Sequence, residues 1–310
     1  MKFAFVFPGQ GSQSVGMMAG WERGSVVRET FTEASDVLQL DLWQMASAGP
    51  VEVQNITLNT QPLMLTAGIA TYRAWLALGG SAPAAMAGHS LGEYSALVAA
   101  GALHFTDALP LVRFRAQVMQ EAVAEGVGAM AAILGLDDEA VRAVCAEAAQ
   151  GEVLEAVNYN SPGQVVIAGH KAAVERGMAL AKDKGAKRAL PLPVSVPSHC
   201  ALMQSAAQRL ADYLQNVTLL KPEIPVIQNA DVASFNDPTA IKAALVKQLH
   251  APVRWVESIQ MMAQQGIQAT VECGPGKVLM GLNKRIVAEM KPLSLTDVAT
   301  MESLIVELKQ

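Results

Sequence analysis

The segment Gly88-His89-Ser90-Leu91-Gly92 is where residue type and spacing first suggest chemistry. It fits G-x-S-x-G and lies between a short apolar run, residues 84–87, and a stretch from Glu93 that reads as helix, the setting of a nucleophile elbow. Small residues at 88 and 92 let backbones come close around a strained serine. The hydroxyl is then offered at a helix N-terminus, where free N–H groups and the dipole favour a developing oxyanion.

A serine hydroxyl is a poor nucleophile at neutral pH and needs a base. Of the five histidines, His89 precedes Ser90 and should point away from it, toward packing or gating. His104 follows a helix, His170 follows a strand, and His250 sits at a helix end, where a cation is often a cap. His199, in Pro197-Ser198-His199-Cys200, lies on a loop and is the candidate base, with a core or capping role as the alternative. Hydrolases of the elbow type place an acid between Ser and His in sequence. No acid between 90 and 199 recommends itself, so the third member is either missing or a carbonyl. Arg113 and Arg115 could each be a solvated helix residue, and either could offer a planar fork to a carboxylate.

The elements that must position these groups are legible in the hydrophobic pattern. Residues 3–7 (Phe-Ala-Phe-Val-Phe) read as a strand buried on both faces, as in a parallel sheet. A helix is expected over 62–78, stopped by Gly79-Gly80, then the strand at 84–87, a helix over 93–102 and another from Thr106-Asp107 to about Gln120. The middle reads strand 129–134, helix 137–149, strands 153–158 and 164–168, helix 171–184, strand 187–191. That β-α-β-β-α-β order is ferredoxin-like. Beyond it come helix 201–214, strand 225–229, helices 238–249 and 255–265, strand 269–273 and a last helix opened by Gly274-Pro275-Gly276. The fold class is therefore α/β: a large α/β-hydrolase-like subdomain with a parallel sheet, residues 1–123 and 197–310, carrying an inserted small ferredoxin-like subdomain, residues 124–196.

With 310 residues, 51% hydrophobic and 16% charged, the chain can build such cores and is not disordered. A formal net charge of −5 argues against nucleic acid as a partner. Three scattered cysteines without a CxxC spacing suggest neither a disulfide framework nor a metal site, and a cytoplasmic setting is expected. The uncharged stretches 53–72 and 74–92 reach the span of a bilayer, but polar residues, Pro and Gly interrupt both. They read as buried core.

Seven blocks in order carry a family resemblance: Phe7-Pro8-Gly9-Gln10-Gly11-Ser12-Gln13; Thr60-Gln61-Pro62; Gly88 to Glu93; the Arg115 helix; Asn158 to Gln164; Val194-Ser195-Val196-Pro197-Ser198-His199; and Glu272 to Gly276. Across essentially the whole chain the sequence resembles the bacterial malonyl-CoA:acyl-carrier-protein transacylases. The resemblance implies Ser90 as nucleophile and His199 as base and acid. A main-chain carbonyl in Lys247-Gln248-Leu249, carried over as that of Gln248, would orient the base. The N–H groups of Gln10 and Leu91 would form the oxyanion hole. Arg115 would bind the malonyl carboxylate, with Met119 on the same helical face and Asn160 lining the site. Lys187 and Arg188 would lie near the phosphates of CoA and of the carrier protein, although they, like Lys277, Lys284 and Arg285, could be plain solvated faces.

The implied activity is ping-pong transfer of malonyl from malonyl-CoA to the phosphopantetheine thiol of acyl carrier protein, supplying fatty acid synthesis. No cofactor or metal is expected, and the chain is expected to be a monomer serving acyl carrier protein. Two other readings are a serine esterase or thioesterase using the same elbow, and a non-catalytic carrier-protein docking domain.

Overall fold

The structure is a computed structural model and describes residues 1–21, 25–194 and 196–309; Ser195, part of one resemblance block, lies outside them. β1 (Phe3–Phe7) is followed by α1 (Ser25–Leu38), α2 (Leu42–Ala48), α3 (Val51–Gln54) and α4 (Thr57–Ala77). Then come β2 (Ala85–Gly88), α5 (Gly92–Ala99) and α6 (Phe105–Glu121). β3 (Gly128–Leu134), α7 (Asp138–Ala149), β4 (Leu154–Ser161), β5 (Gln164–His170), α8 (Lys171–Asp183) and β6 (Arg188–Pro191) form the middle. After it run α9 (Gln204–Leu214), β7 (Val226–Ile227), α10 (Pro238–Leu249), α11 (Trp255–Gln264), β8 (Ala269–Cys273), α12 (Val278–Ile286), β9 (Lys291–Leu295) and α13 (Val298–Leu308).

Five strands form one parallel sheet in the order β7-β2-β1-β8-β9. β1 is central and every residue in it is buried, which is why Phe3–Phe7 is a continuous apolar run and does not alternate. Phe3 and Phe5 meet Trp75 of α4 edge-on, at ring separations of 6.0 and 5.3 Å. α4 is buried on nearly every side from Thr60 to Trp75, so its apolar length serves the core. Among the described residues no helix is long and apolar enough to cross a membrane.

The second sheet is antiparallel, order β4-β5-β3-β6, and its chain order β-α-β-β-α-β matches expectation. Ile133, Val165 and Ile167 on one face pack with Val141, Val144 and Val174 of α7 and α8 as a separate core. On the other face Met130, Val157 and Val166 pack against Cys200, where the chain returns. A seam joins the two sheets' surroundings: Tyr159 N–H donates to Val253 O at 3.0 Å, and Val253 N–H to Val157 O at 2.8 Å.

Several expected boundaries are corrected. α4 begins at Thr57 and runs through Pro62, which forfeits one helical bond to residue 58. The helix expected over 201–214 splits into a 3-10 turn, Ala201–Met203, and α9. The strand expected over 225–229 shrinks to Val226–Ile227. The helix after Gly276 is not the last element, since β9 and α13 follow, and α1 to α3 fill a region for which no element was expected.

Candidate active site

The tips of β1 and β2 meet where the chain must turn sharply. A Cβ on Gly88 would lie 1.8 Å from Gly92 O, and one on Gly92 would lie 2.1 Å from Phe7 O. Only glycine fits at either position, and the closeness of three backbones forces Ser90 into a left-handed conformation, φ 51°. The elbow read from G-x-S-x-G is therefore present, between β2 and α5.

His199 reaches it from the return segment. Ser90 Oγ and His199 Nε2 are 2.7 Å apart, and His199 Nδ1 is 2.6 Å from the main-chain O of Gln248 at the end of α10. An acceptor carbonyl at Nδ1 fixes the proton there and leaves Nε2 free to accept the serine proton. The acid that the sequence lacks is thus replaced in space by a carbonyl. Burial is the largest cause lowering the His199 pKa to about 3, with the Arg115 charge next and the bond to Gln248 opposing. The imidazole is neutral at pH 7, as a base must be.

Arg115, from α6, is buried and lies beside the nucleophile: Nη2 donates to Ser90 Oγ at 3.2 Å and to Gln248 Oε1 at 2.9 Å, and Nη1 to Gln61 Oε1 at 2.9 Å. All three acceptors are uncharged, and among the described residues Arg115 is in no ion pair. Arg113 instead reaches Leu38 O at 3.5 Å, away from the elbow. A cavity of about 110 Å³ is bounded by Gln10, Ser90, Leu91, Arg115, Met119 and His199, with Met130, Asn158, Leu192 and Val194 from the side of the second sheet. Among the described residues the main-chain N–H groups of Gln10 and Leu91 donate to no protein acceptor, so both can serve an oxyanion.

Other expected site residues lie elsewhere. Asn160 does not line the cavity: it is buried and hydrogen-bonds His89 Nε2 at 2.7 Å. His89 packs on Trp255 and does border the cavity. Asn158, two residues earlier on β4, is the asparagine in the wall. Lys187 and Arg188 are exposed at the start of β6 and do not line the cavity. Sequence reasoning gave no role to three groups: Gln61, the Gln248 side chain, whose Nε2 donates to Ser90 O at 2.9 Å, and Asn229, whose Oδ1 accepts from Ser90 N–H at 2.8 Å. His104 occupies the N-cap position of α6 without a side-chain hydrogen bond, His170 accepts from Val153 N–H, and His250 ends α10, its main-chain N–H donating to Lys247 O. Among the described residues no cluster of His, Cys, Asp and Glu has the makings of a metal site.

A serine–histidine pair on a parallel α/β sheet, with two free N–H groups and a buried arginine aimed at the same point, defines a serine-dependent acyl-transfer protein. Residues 4–303 match the acyl transferase domain family. The chain is 57% identical to the malonyl CoA-acyl carrier protein transacylase of Escherichia coli K12 over 301 residues, 97% of each chain, and 43% identical to that of Bacillus subtilis over all of this chain and 98% of the relative. Among solved structures it superposes on an acyl-carrier-protein S-malonyltransferase of Burkholderia pseudomallei with a TM-score of 0.97 at 58% identity, covering 99% and 100% of the two chains. A malonyl-transacylase solved in complex with a type II PKS acyl-carrier protein gives 0.98 at 51% identity, covering 99% and 100%. The chain belongs to the acyl transferase family and, within it, to the malonyl CoA-acyl carrier protein transacylases.

Proposed function

We propose that the protein transfers malonyl from malonyl-CoA to the phosphopantetheine thiol of acyl carrier protein, through a malonyl ester on Ser90. The observation that carries the reading is Arg115, a buried cation with neutral partners only, 3.2 Å from the nucleophile. Burying a guanidinium without an anion is costly, and an acyl group that brings its own carboxylate to this point supplies one. Arg115 at this distance suits a three-carbon diacid, whose free carboxylate lies two carbon atoms from the carbonyl under attack.

In the first half-reaction His199 Nε2 takes the Ser90 proton as Oγ attacks the thioester carbonyl. The N–H groups of Gln10 and Leu91 hold the oxyanion. The tetrahedral adduct collapses, the C–S bond breaks, and the CoA sulfur leaves with the proton from His199. In the second, the carrier's thiol gives its proton to His199 and attacks the ester, and Ser90 regains the proton. The chemistry needs no resident cofactor, since malonyl-CoA is a substrate and phosphopantetheine arrives on the partner. Met119 and Asn158 shape the acyl pocket in this reading, and Lys187 and Arg188 are left for the approach of phosphates from outside. A large subdomain of 1–123 and 197–310 with a small one of 124–196 belongs to the same proposal, and the two separate sheets support it. So does a cytoplasmic setting.

Mass spectrometry of the protein mixed with malonyl-CoA is the test. A malonyl adduct on the Ser90 peptide, discharged by carrier protein faster than by water, is the expected result. Turnover without the adduct sinks the covalent scheme, and discharge by water alone makes the protein a hydrolase.

A further inference from the structure

We infer that Asn229 is the positioning residue of the nucleophile elbow, an inference that rests on Ser90 being the nucleophile. Asn229 follows β7, at the start of a closed loop: Val232 N–H donates to Gln228 O at 3.0 Å and Gln228 N–H to Ala233 O at 2.9 Å. Its main-chain O accepts from Arg254 N–H at 3.1 Å. The residue is 1% exposed.

From this fixed base the side chain spans the elbow. Nδ2 donates to Gly88 O at 2.7 Å, and Oδ1 accepts from Ser90 N–H at 2.8 Å. The main-chain N–H of Asn229 donates to Glu93 Oε2 at 2.6 Å, so the residue touches the last residue of β2, the nucleophile and the first turn of α5. Asn is the side chain for this position, because it presents a donor group, Nδ2, and an acceptor, Oδ1, side by side on a short planar amide. Asp has no donor for Gly88 O when ionised, and a hydrophobe leaves both peptide groups unpaired in the interior.

The geometric need is plain. Ser90 carries φ 51°, a conformation an L-residue holds only when its surroundings over-determine it. Its N–H is engaged by Asn229 and its C=O accepts from Gln248 Nε2. With Ser90 N–H already committed, the N–H that remains for the oxyanion on this side is that of Leu91, which belongs to the next peptide unit, whose C=O accepts from Gln248 Nε2. Asn229 thus holds the peptide that enters Ser90 and with it the direction of Oγ toward His199, while Gln248 holds the peptide that leaves it.

Replacing Asn229 by Ala and by Asp tests the assignment, read as single-turnover formation of malonyl-Ser90 per folded molecule alongside the KM for malonyl-CoA. Asn229→Ala should acylate about 100-fold more slowly, the cost of a misplacement near 1 Å, with KM altered less than about threefold. Asn229→Asp keeps the acceptor for Ser90 N–H and should lie between Ala and the unmodified protein. Amide hydrogen exchange should quicken in the peptide spanning 86–94 of Asn229→Ala while the second sheet, residues 128–191, stays protected. Acylation at the unmodified rate, a KM-only effect, or exchange that quickens everywhere alike would overturn the inference. If Asn229→Ala does not fold, Asn229→Asp carries the same comparison, and equal acylation there would overturn it as well. Absence of any adduct in the unmodified protein defeats the serine mechanism itself, a different outcome from equal acylation in both.

Discussion

Ser90 and His199, 109 residues apart in sequence, are 2.7 Å apart in space and share an unusual backbone state: both have positive φ, 51° and 66°. Neither is glycine, so each conformation costs on the order of 1 kcal/mol and persists because neighbours hold it. His199 is held by its N–H to Leu249 O at 2.9 Å and by its ring to Gln248 O, both at the end of α10. The pair is built from two strained turns locked against one helix end.

Because the pair acts as a unit, Ser90→Ala, His199→Ala and the double variant should lose comparable activity, each on the order of 10³-fold or more in kcat. Additive losses, read in a transfer assay with carrier protein, would show that the two residues act separately.

Arg115→Ala should separate donors. Malonyl transfer should fall about 100-fold, the worth of a charge-assisted pair in a dry site, while acetyl transfer, with no carboxylate to bind, falls far less. The same variant moves the base. Arg115 is one of the causes holding His199 near 3, so removing it raises the His199 pKa toward 6.5. A base works only when deprotonated, so the acidic limb of acetyl-transfer kcat/KM should shift to higher pH in Arg115→Ala. An unmoved limb would show that the arginine charge does not reach the imidazole.

Gln248→Ala keeps the main-chain O that orients His199 but deletes the bonds to Ser90 O and to Arg115. A loss of about tenfold in kcat, with the acidic limb in place, is the expected result and separates the side chain's work from the carbonyl's. Loss as deep as that of His199→Ala would mean that the carbonyl itself had moved.

Glu93 is fully buried, and burial, opposed by the Asn229 N–H, Gln248 and Arg115, raises its pKa from 4.5 to about 8. The folded state therefore keeps a proton that the unfolded chain releases. That contribution to stability is full below about 4.5 and is lost as pH rises through about 8. Glu93→Gln should remove this loss, so the fall in Tm between pH 5.5 and 8.5 should shrink, by about 2–4 °C for each kcal/mol. Burial also raises Glu272, to about 7, and that residue should keep part of the slope. His199 acts in the opposite direction, destabilising below its ordinary 6.5, and leaves the alkaline side alone.

The sequence was most readable where one local force decides. Phe3–Phe7 is a buried strand because nothing in it can face water, and Gly88 and Gly92 mark the elbow because backbone contact admits nothing larger. β9 escaped notice because Lys291-Pro292-Leu293-Ser294-Leu295 is a partly exposed edge strand with a proline in it, a pattern that reads as loop. Ala201–Leu214 reads as one helix because composition does not register the change from a 3-10 to an α turn at Gln204. Ser90 and Arg115 could be singled out by chemistry or by resemblance, whereas Asn229 and Gln61 do their work through amides that look like any others. Asn158 and Asn160 share a strand parity, and register shifts between Ala156 and Asn158 and between Tyr159 and Ser161 leave no spacing rule to say which one meets the cavity.

The seam at Val253 has a meaning for how the protein behaves in a crowd. A strand's unpaired edge is a template on which another chain can extend a sheet. β4 is the longest edge strand, eight residues, and the Val253 segment bonds to its middle at Val157 and Tyr159. The other edges are blunted by different means: β7 has two residues, β9 carries Lys291 and Pro292, and β6 is four residues beginning at exposed Arg188 and ending at Pro191. The contact that fixes one wall of the cavity thereby also closes the edge most open to fibril-like growth.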